Sequence, residues 1–144
     1  MGYIKIWIHF VWVTKKRAPV LSNEIISLLN THIKENTARN KIYLDSIHGH
    51  KQHMHGLISL NATQSIAWVM QNIKGESSRW INNQKLLNNK FQWQKEYYAV
   101  SIGQSMVGPV RKYIANQPEH HRRKSFNEEV DEFMEKYGFR LIRG

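Results

Sequence analysis

Residues 4–13, IKIWIHFVWV, decide the fold of this 144-residue chain. Apolar residues occupy the even positions from Ile4 to Trp12, and a mixed set that includes Trp7 and His9 occupies the odd positions. Alternation with a period of two is typical of a β-strand, because successive side chains point to opposite faces of a sheet. The stretch therefore predicts a first strand with one strongly apolar face.

Two helices and three more strands are predicted from periodicity and capping residues. Ser22 is the predicted cap of a helix that ends near Asn36, and a second helix is predicted from Thr63 to Ile81. The predicted strands cover residues 42–47, 54–60 and 97–102, with a glycine-containing hairpin over 48–52. The paired histidines His53 and His55 lie where the third strand opens.

Two further helices are predicted after the last strand. A short one is capped by Ser105 and ended by Pro118, and it carries Tyr113. The final one starts with a Ser125–Glu128 capping box and stops at Gly138. The order strand, helix, strand, strand, helix, strand predicts an α+β fold, the split βαβ of ferredoxin-like and RNA-recognition domains. We expect one antiparallel sheet in a single domain, residues 1–144, with additional C-terminal helices.

Composition limits the function. Lys and Arg number 21 against 11 Asp and Glu, so the formal charge of +10 and the pI of about 9.9 favour a polyanionic partner such as nucleic acid. The chain has no Cys, which excludes disulfides and thiolate metal sites and suits the cytoplasm. No spanning segment, signal peptide or phosphate-binding glycine loop is found, so we expect neither a membrane role nor a nucleotide cofactor.

A metal site is predicted on the odd face of the sheet. On a strand, His53 and His55 point to the same side, roughly 7 Å apart. In a split βαβ sheet they share that face with Trp7 and His9, and only the later helix remains to cover it. On one helix, Tyr113 and Gln117 project from the same side because they are four residues apart.

The predicted chemistry follows from these residue types. Two imidazoles and an amide oxygen, with open positions, suit Mg²⁺ or Mn²⁺ better than structural zinc. A tyrosine has an ordinary pKa of about 10, so Tyr113 needs electrostatic help from the cation and nearby Lys and Arg to act as a nucleophile. Attack on DNA would store the diester energy in a phosphotyrosine bond. We expect His9 to be a neighbour of the site rather than a ligand.

With these residues, the chain resembles the single-tyrosine HUH transposases of small bacterial insertion sequences, including the transposases associated with repetitive extragenic palindromes. The matching stretches are FVWVTKKRAPVL (10–21), HMHGL (53–57), NIKGESSRW (72–80) and VRKYIANQ (110–117). The resemblance implies a metal-dependent enzyme that binds a single-stranded DNA hairpin, cuts nearby and forms a 5′-phosphotyrosine link through Tyr113. It also implies that His53, His55 and Gln117 hold the metal.

The resemblance further implies a homodimer in which the tyrosine helix can complete the partner's site, and a location in the bacterial cytoplasm, on the nucleoid when bound to DNA. Members often carry Asp just before the histidine pair, where this chain has Gln52. The resemblance implies that the region of Lys74, Ser77 and Arg79 faces DNA. From charge and placement, the candidate contacts to the DNA backbone are Lys15, Lys16, Arg17, Lys74, Arg79, Arg111 and Lys112.

Three alternatives remain open. A catalytically idle RNA-recognition module would share the strand order, although His53 and His55 stand where aromatic residues usually lie in its third strand. A histidine-based nucleotide hydrolase would need a third histidine where Leu57 stands. A domesticated transposase could keep the same chemistry on a different target. The basic run at 120–124 is either a solvated segment or a clamp on the DNA backbone.

Overall fold

The computed structural model describes residues 2–117 and 125–136 and contains a four-stranded antiparallel sheet. The strands are β1 (Ile6–Thr14), β2 (Tyr43–His50), β3 (His53–Leu60) and β4 (Trp93–Ile102). The helices are α1 (Asn23–Arg39), α2 (Ile66–Asn83), α3 (Val107–Ala115) and α4 (Phe126–Lys136), with short 3₁₀ turns at Lys15–Arg17 and Gln104–Met106. The strand order β2-β3-β1-β4 confirms the predicted α+β, ferredoxin-like arrangement.

The two faces of the sheet are covered as the alternation predicts. The even positions of β1, with Phe10 and Trp12 fully buried, join a large apolar core with residues of α1 and α2. On the opposite face, Trp7 and Leu57 pack with residues of α3. This separation leaves the odd face, which carries the histidines, to the C-terminal helices.

Several predicted boundaries were wrong by a few residues. Helix α1 is capped by Ser22, whose hydroxyl accepts the amide of Ile25, but it continues to Arg39. Helix α2 starts after Ser65 rather than at Thr63, because Ser65 provides the cap. Strand β4 begins at residue 93, and α3 follows a 3₁₀ turn instead of a serine cap.

The hairpin between β2 and β3 is tighter than predicted. Strand β2 continues to His50, so the turn consists of Lys51, with a φ of 33°, and Gln52. Gly49 is therefore a strand residue, and a Cβ there would collide with the sulfur of Met54 and the carbonyl oxygen of His53. Only glycine fits this close approach, which fixes where β3 begins.

The basic run at 120–124 and the predicted helix ends at Pro118 and Gly138 lie outside the described residues. The Ser125–Glu128 cap is present, since the Ser125 hydroxyl accepts the amide of Glu128 at 3.2 Å. Among the described helices, none combines the length and the apolar character needed to cross a membrane.

Candidate metal and tyrosine site

His53 and His55 open β3 and point to the same side of the sheet. They lie opposite Val13 and Val11 of β1, and both side chains are almost completely buried. Their ring centroids are 5.1 Å apart. The two imidazoles are therefore held next to each other on a rigid central strand, as the spacing predicts.

Helix α3 brings Tyr113 to these histidines. Val110 and Ile114 pack against the odd face of the sheet, and the ring centroid of Tyr113 lies 5.4 Å from that of His55. Gln117 lies two residues beyond the last residue of α3, so its predicted place within that helix was wrong. Its side chain still reaches the site, with Oε1 3.1 Å from Nε2 of His53.

Glu129 is a site residue that the sequence reasoning missed. It is 2% exposed, and its carboxylate oxygens lie 3.2 Å from Nε2 of His53 and 3.0 Å from Nε2 of His55. The hydroxyl of Tyr113 donates a hydrogen bond to the same carboxylate. One feature of the sequence could have indicated this role. Glu129 is an acidic residue four positions before Phe133, on a stripe of α4 that is otherwise predicted to be apolar.

The residues present fit a divalent cation. One donor atom each from His53, His55 and Glu129 lies within 4.8 Å of the other two, and all three residues are buried. The three closest separations, including that of the Gln117 oxygen from His53, are 3.0–3.2 Å. Adjacent ligands of an octahedral ion with bonds of about 2.1 Å are roughly 3.0 Å apart. Imidazole nitrogens together with carboxylate and amide oxygens are donors for a divalent cation.

His9 supports the site from the neighbouring strand β1. Its Nε2 lies 2.9 Å from Nδ1 of His55, a hydrogen bond that fixes the orientation of the His55 ring and leaves Nε2 of His55 facing Glu129. Burial lowers the pKa of His9 well below its ordinary value, and His55 lowers it further. His9 is therefore neutral at pH 7 and acts as the neighbour that we predicted.

Tyr113 is protonated in this arrangement. Burial raises its pKa above the ordinary value, and the carboxylate of Glu129 raises it further by repulsion and by accepting the phenolic hydrogen. A cavity of about 150 Å³ beside the ring is bounded by His9, Val110 and Lys136, among other residues. Without a cation, the surroundings of Tyr113 thus oppose formation of a phenolate.

The basic turn after β1 lies at the end of the sheet where the histidines begin. Lys15, Lys16 and Arg17 are exposed, and Lys16 and Arg17 adopt positive φ angles of 58° and 53°. Such backbone conformations cost about 1–2 kcal/mol per residue outside glycine. The amide of Lys16 donates to the side chain of Gln94, which helps to hold the turn.

Three predicted DNA contacts on α2 differ in their surroundings. Lys74 donates to the carbonyl oxygens of Gln94 and Lys95 at 2.7 and 2.8 Å, and burial lowers its pKa. Ser77 is fully buried, and its hydroxyl accepts the indole N–H of Trp93. Ser77 is an interior residue, so the structure contradicts a direct DNA contact there. Arg79 is exposed.

The remaining basic candidates flank the tyrosine. Lys112 is exposed, whereas Arg111 makes a two-pronged ion pair with Asp45 of β2. Gln52, which replaces the family's frequent Asp, occupies the turn before His53, and its backbone oxygen accepts the amide of Thr14 at 2.8 Å.

Known proteins share this fold. A family model described as "Transposase IS200 like" matches residues 3–117. The chain is 24% identical over 123 residues to the ISDra2 transposase TnpA of Deinococcus radiodurans, which covers 81% of this chain and 87% of that protein.

Two solved structures are also similar. A structure described as a transposase from Deinococcus radiodurans R1 has a TM-score of 0.66 and 23% identity, covering 81% of this chain and 95% of the other. A REP-associated tyrosine transposase bound to a REP hairpin has a TM-score of 0.59 and 17% identity, covering 84% and 72%. Because the family model matches most of the chain, this protein belongs to the IS200-like transposase family.

Proposed function

We propose that the chain cleaves and rejoins single-stranded DNA beside a hairpin through a 5′-phosphotyrosine intermediate on Tyr113. The observation that carries this proposal is the shared contact at Glu129, whose carboxylate touches the Tyr113 hydroxyl and both His53 and His55. A nucleophile and a set of metal ligands thus meet at one buried point. The chemistry requires that juxtaposition, whereas a passive binding module does not.

A divalent cation, Mg²⁺ or Mn²⁺, fits the donor set of His53, His55, Gln117 and Glu129. When bound, it would neutralise charge on the scissile phosphate and on the tyrosine oxygen. These four residues would hold the ion, which would supply positive charge to polarise a phosphate oxygen. Glu129 joins the three ligands that the sequence suggested because it lies as close to the imidazoles as Gln117 does.

Tyr113 and Glu129 have separate roles in the cleavage step. In the cleavage step the Tyr113 oxygen bonds to phosphorus, the bond from phosphorus to the 3′ oxygen breaks, and the 3′ oxygen leaves with a proton. Glu129 already accepts the Tyr113 hydrogen bond and is placed to take its proton. Attack by a 3′ hydroxyl reverses these bond changes and rejoins the strand, so no nucleotide cofactor is needed.

Access to Tyr113 requires movement. The cavity beside its ring is about 150 Å³, below the roughly 300 Å³ at which pockets for drug-sized ligands begin. Glu129 and Lys136 of α4 form part of its wall. We propose that the end of α4 that carries Lys136 shifts when a strand enters, while β3 keeps the histidines in place and Glu129 stays beside them.

The proposed DNA surface comprises exposed basic residues on the turn after β1 and on α2 and α3. It consists of Lys15, Lys16, Arg17, Arg79 and Lys112. A hairpin partner is supported by the structural relative that is described as bound to a REP hairpin. We leave out Ser77, which is buried, and treat Lys74 and Arg111 as residues that hold the fold.

We further propose that residues 1–144 act as one domain and assemble as a homodimer. Within one chain, Tyr113 already contacts the carboxylate that touches both histidines, which supports a site built in cis in the state described. Mixing Tyr113→Phe with His53→Ala protein tests for exchange between subunits. Restored cleavage would show a trans arrangement, and no cleavage would support the cis one.

The test uses labelled single-stranded hairpins from the ends of the protein's own locus, with Mg²⁺ or Mn²⁺. We expect a covalent complex that survives denaturant, requires the metal and is absent from Tyr113→Phe. Tight hairpin binding without an adduct, across both metals and both ends, would instead support the non-catalytic binding module. A domesticated transposase would differ in its target and not in this result.

A further inference from the structure

Asp45 occupies an irregular position on the edge strand β2. The pairing of β2 with β3 shifts register between Leu44 and Ser46, so Asp45 has no pairing partner on β3. A bulge of this kind redirects a side chain. The Asp45 side chain is only 8% exposed, and one of its oxygens accepts the hydroxyl of Ser46 at 2.7 Å.

Arg111 of α3 binds this redirected carboxylate with two hydrogen bonds. Its Nε donates to Oδ1 at 2.7 Å, and a terminal nitrogen donates to Oδ2 at 2.6 Å. Two parallel bonds between guanidinium and carboxylate fix orientation as well as distance. The guanidinium also lowers the pKa of Asp45, so the pair stays charged at neutral pH.

The pair constrains the helix that carries the tyrosine. Arg111 and Tyr113 are two residues apart, and with about 100° per residue they project from nearly opposite sides of α3. A contact between Trp7 and Gln104 holds the chain just before α3 at 2.8 Å. The apolar contacts of α3 are non-directional, whereas the two bonds of Arg111 are directional and oppose rotation about the helix axis.

We propose that Asp45 is a positioning residue, which acts through Arg111 to set the rotation of α3 and hence the place of the Tyr113 hydroxyl. This inference rests on the proposed function. It also reassigns Arg111, which charge alone suggested as a DNA contact. The Asp45 carboxylate takes two of the five N–H donors of Arg111, Nε and one on a terminal nitrogen, so this edge of the guanidinium is held by the fold.

The experiment compares Asp45→Ala, Arg111→Ala, the double variant and the charge exchange Asp45→Arg/Arg111→Asp. Glu76→Gln is the matched control, because it weakens the His32–Glu76 ion pair between α1 and α2, away from α3. Three quantities are measured for each: hairpin affinity, the rate of adduct formation at saturating hairpin, and hydrogen exchange of the α3 amides.

Each single variant should slow adduct formation at saturating hairpin by at least about tenfold, because small misplacements of a reacting group are costly. Hairpin affinity should stay within about twofold, since the DNA surface is intact. The double variant should be no worse than either single variant, and the charge exchange should recover part of the rate. Amides of α3 should exchange faster in the single variants and stay at the wild-type rate in Glu76→Gln.

Several results would overturn the proposal. An affinity loss in Arg111→Ala, with tighter binding in Asp45→Ala, would make Arg111 a DNA contact. An unchanged adduct rate, or an equal loss in Glu76→Gln, would remove the positioning role. If the wild-type protein forms no adduct, the proposed function fails, but α3 hydrogen exchange still decides whether Asp45 and Arg111 constrain the helix.

Discussion

At the scale of single residues, Tyr113 is the proposed nucleophile, and its protonation state is unfavourable for that role. Burial and Glu129 raise its pKa in the folded chain, whereas the unfolded chain has an ordinary value of about 10. Above that pH the unfolded chain releases the proton and the folded chain keeps it, so stability is lost as pH rises. The metal-free protein therefore holds Tyr113, the proposed nucleophile, in its protonated form.

We predict that Tyr113→Phe removes this loss of stability at high pH. Between roughly pH 9 and 11, the free energy of unfolding should fall more steeply in the wild-type protein than in Tyr113→Phe. Chemical denaturation at a series of pH values measures the difference. The same slope in both proteins would mean that Tyr113 titrates at its ordinary pKa.

The two oxygen donors of the site give a second prediction. Glu129→Ala and Gln117→Ala should each raise the Mn²⁺ concentration needed for half-maximal adduct formation by about tenfold or more, because each removes one ligand. Hairpin affinity should change less than the metal requirement does. Glu76→Ala, which removes a carboxylate far from the site, is the control.

A different result would contradict the prediction for each of these two residues. If hairpin affinity collapsed in Gln117→Ala while cleavage per bound complex stayed normal, Gln117 would be a structural or DNA contact. If Glu129→Ala left the metal requirement unchanged and accelerated cleavage, its carboxylate would be an obstacle to the phosphate and not a ligand.

The sequence predicted which of these residues come together, except one. His53 and His55 follow from strand periodicity and Tyr113 from its place on α3, whereas Gln117 reaches His53 from beyond the end of that helix. Glu129 could not be found this way, because its contacts depend on how α4 returns over the sheet more than 70 residues after the histidines. Periodicity describes a helix's own face and says nothing about the distant strand that the face covers.

At the scale of elements, the start of β3 depends on the close approach of β2. We predict that Gly49→Ala lowers the free energy of unfolding by about 1–3 kcal/mol, since its Cβ would meet the backbone of His53. Gly75→Ala in α2 is the matched control, because a Cβ there meets nothing within 4 Å. That change should stabilise the protein by up to about 1 kcal/mol.

Urea denaturation measures both variants. An unchanged stability in Gly49→Ala would show that β2 and β3 can separate without cost and that the hairpin does not fix the histidines. The comparison between two glycines separates the effect of close approach from the general effect of replacing glycine.

The order of the strands and helices was predicted more accurately than the residues at which they begin and end. The order of strands and helices follows from hydrophobic periodicity, which is a property of each segment. The ends depend on contacts: β2 continues through His50 because Gly49 allows β3 to approach, and the bulge at Asp45 is matched by Arg111 on a distant helix. Neither contact leaves a signal in the local sequence.

At the scale of the whole molecule, the formal charge of +10 predicts binding to DNA that weakens with salt. We predict that Lys16→Gln and Arg17→Gln each reduce the slope of log affinity against log salt by roughly 0.7–0.9, the value for one lost phosphate contact. Lys74→Gln should leave the slope unchanged and lower stability, because Lys74 holds the carbonyl oxygens of Gln94 and Lys95.

Hairpin binding at several salt concentrations, with the unfolding free energy of each variant, distinguishes basic residues that contact DNA from those that hold the fold. A reduced slope in Lys74→Gln would add Lys74 to the proposed DNA surface. Unchanged slopes in Lys16→Gln and Arg17→Gln would remove the strained turn from that surface.

The most direct test of the central claim is to identify the residue that carries the DNA. The protein is incubated with a labelled hairpin and Mn²⁺, the DNA is digested, and the modified peptide is mapped by mass spectrometry. The account predicts a nucleotide joined through its 5′ phosphate to Tyr113, and no modified peptide from Tyr113→Phe. A nucleotide on any other residue, or none despite tight hairpin binding, would contradict it.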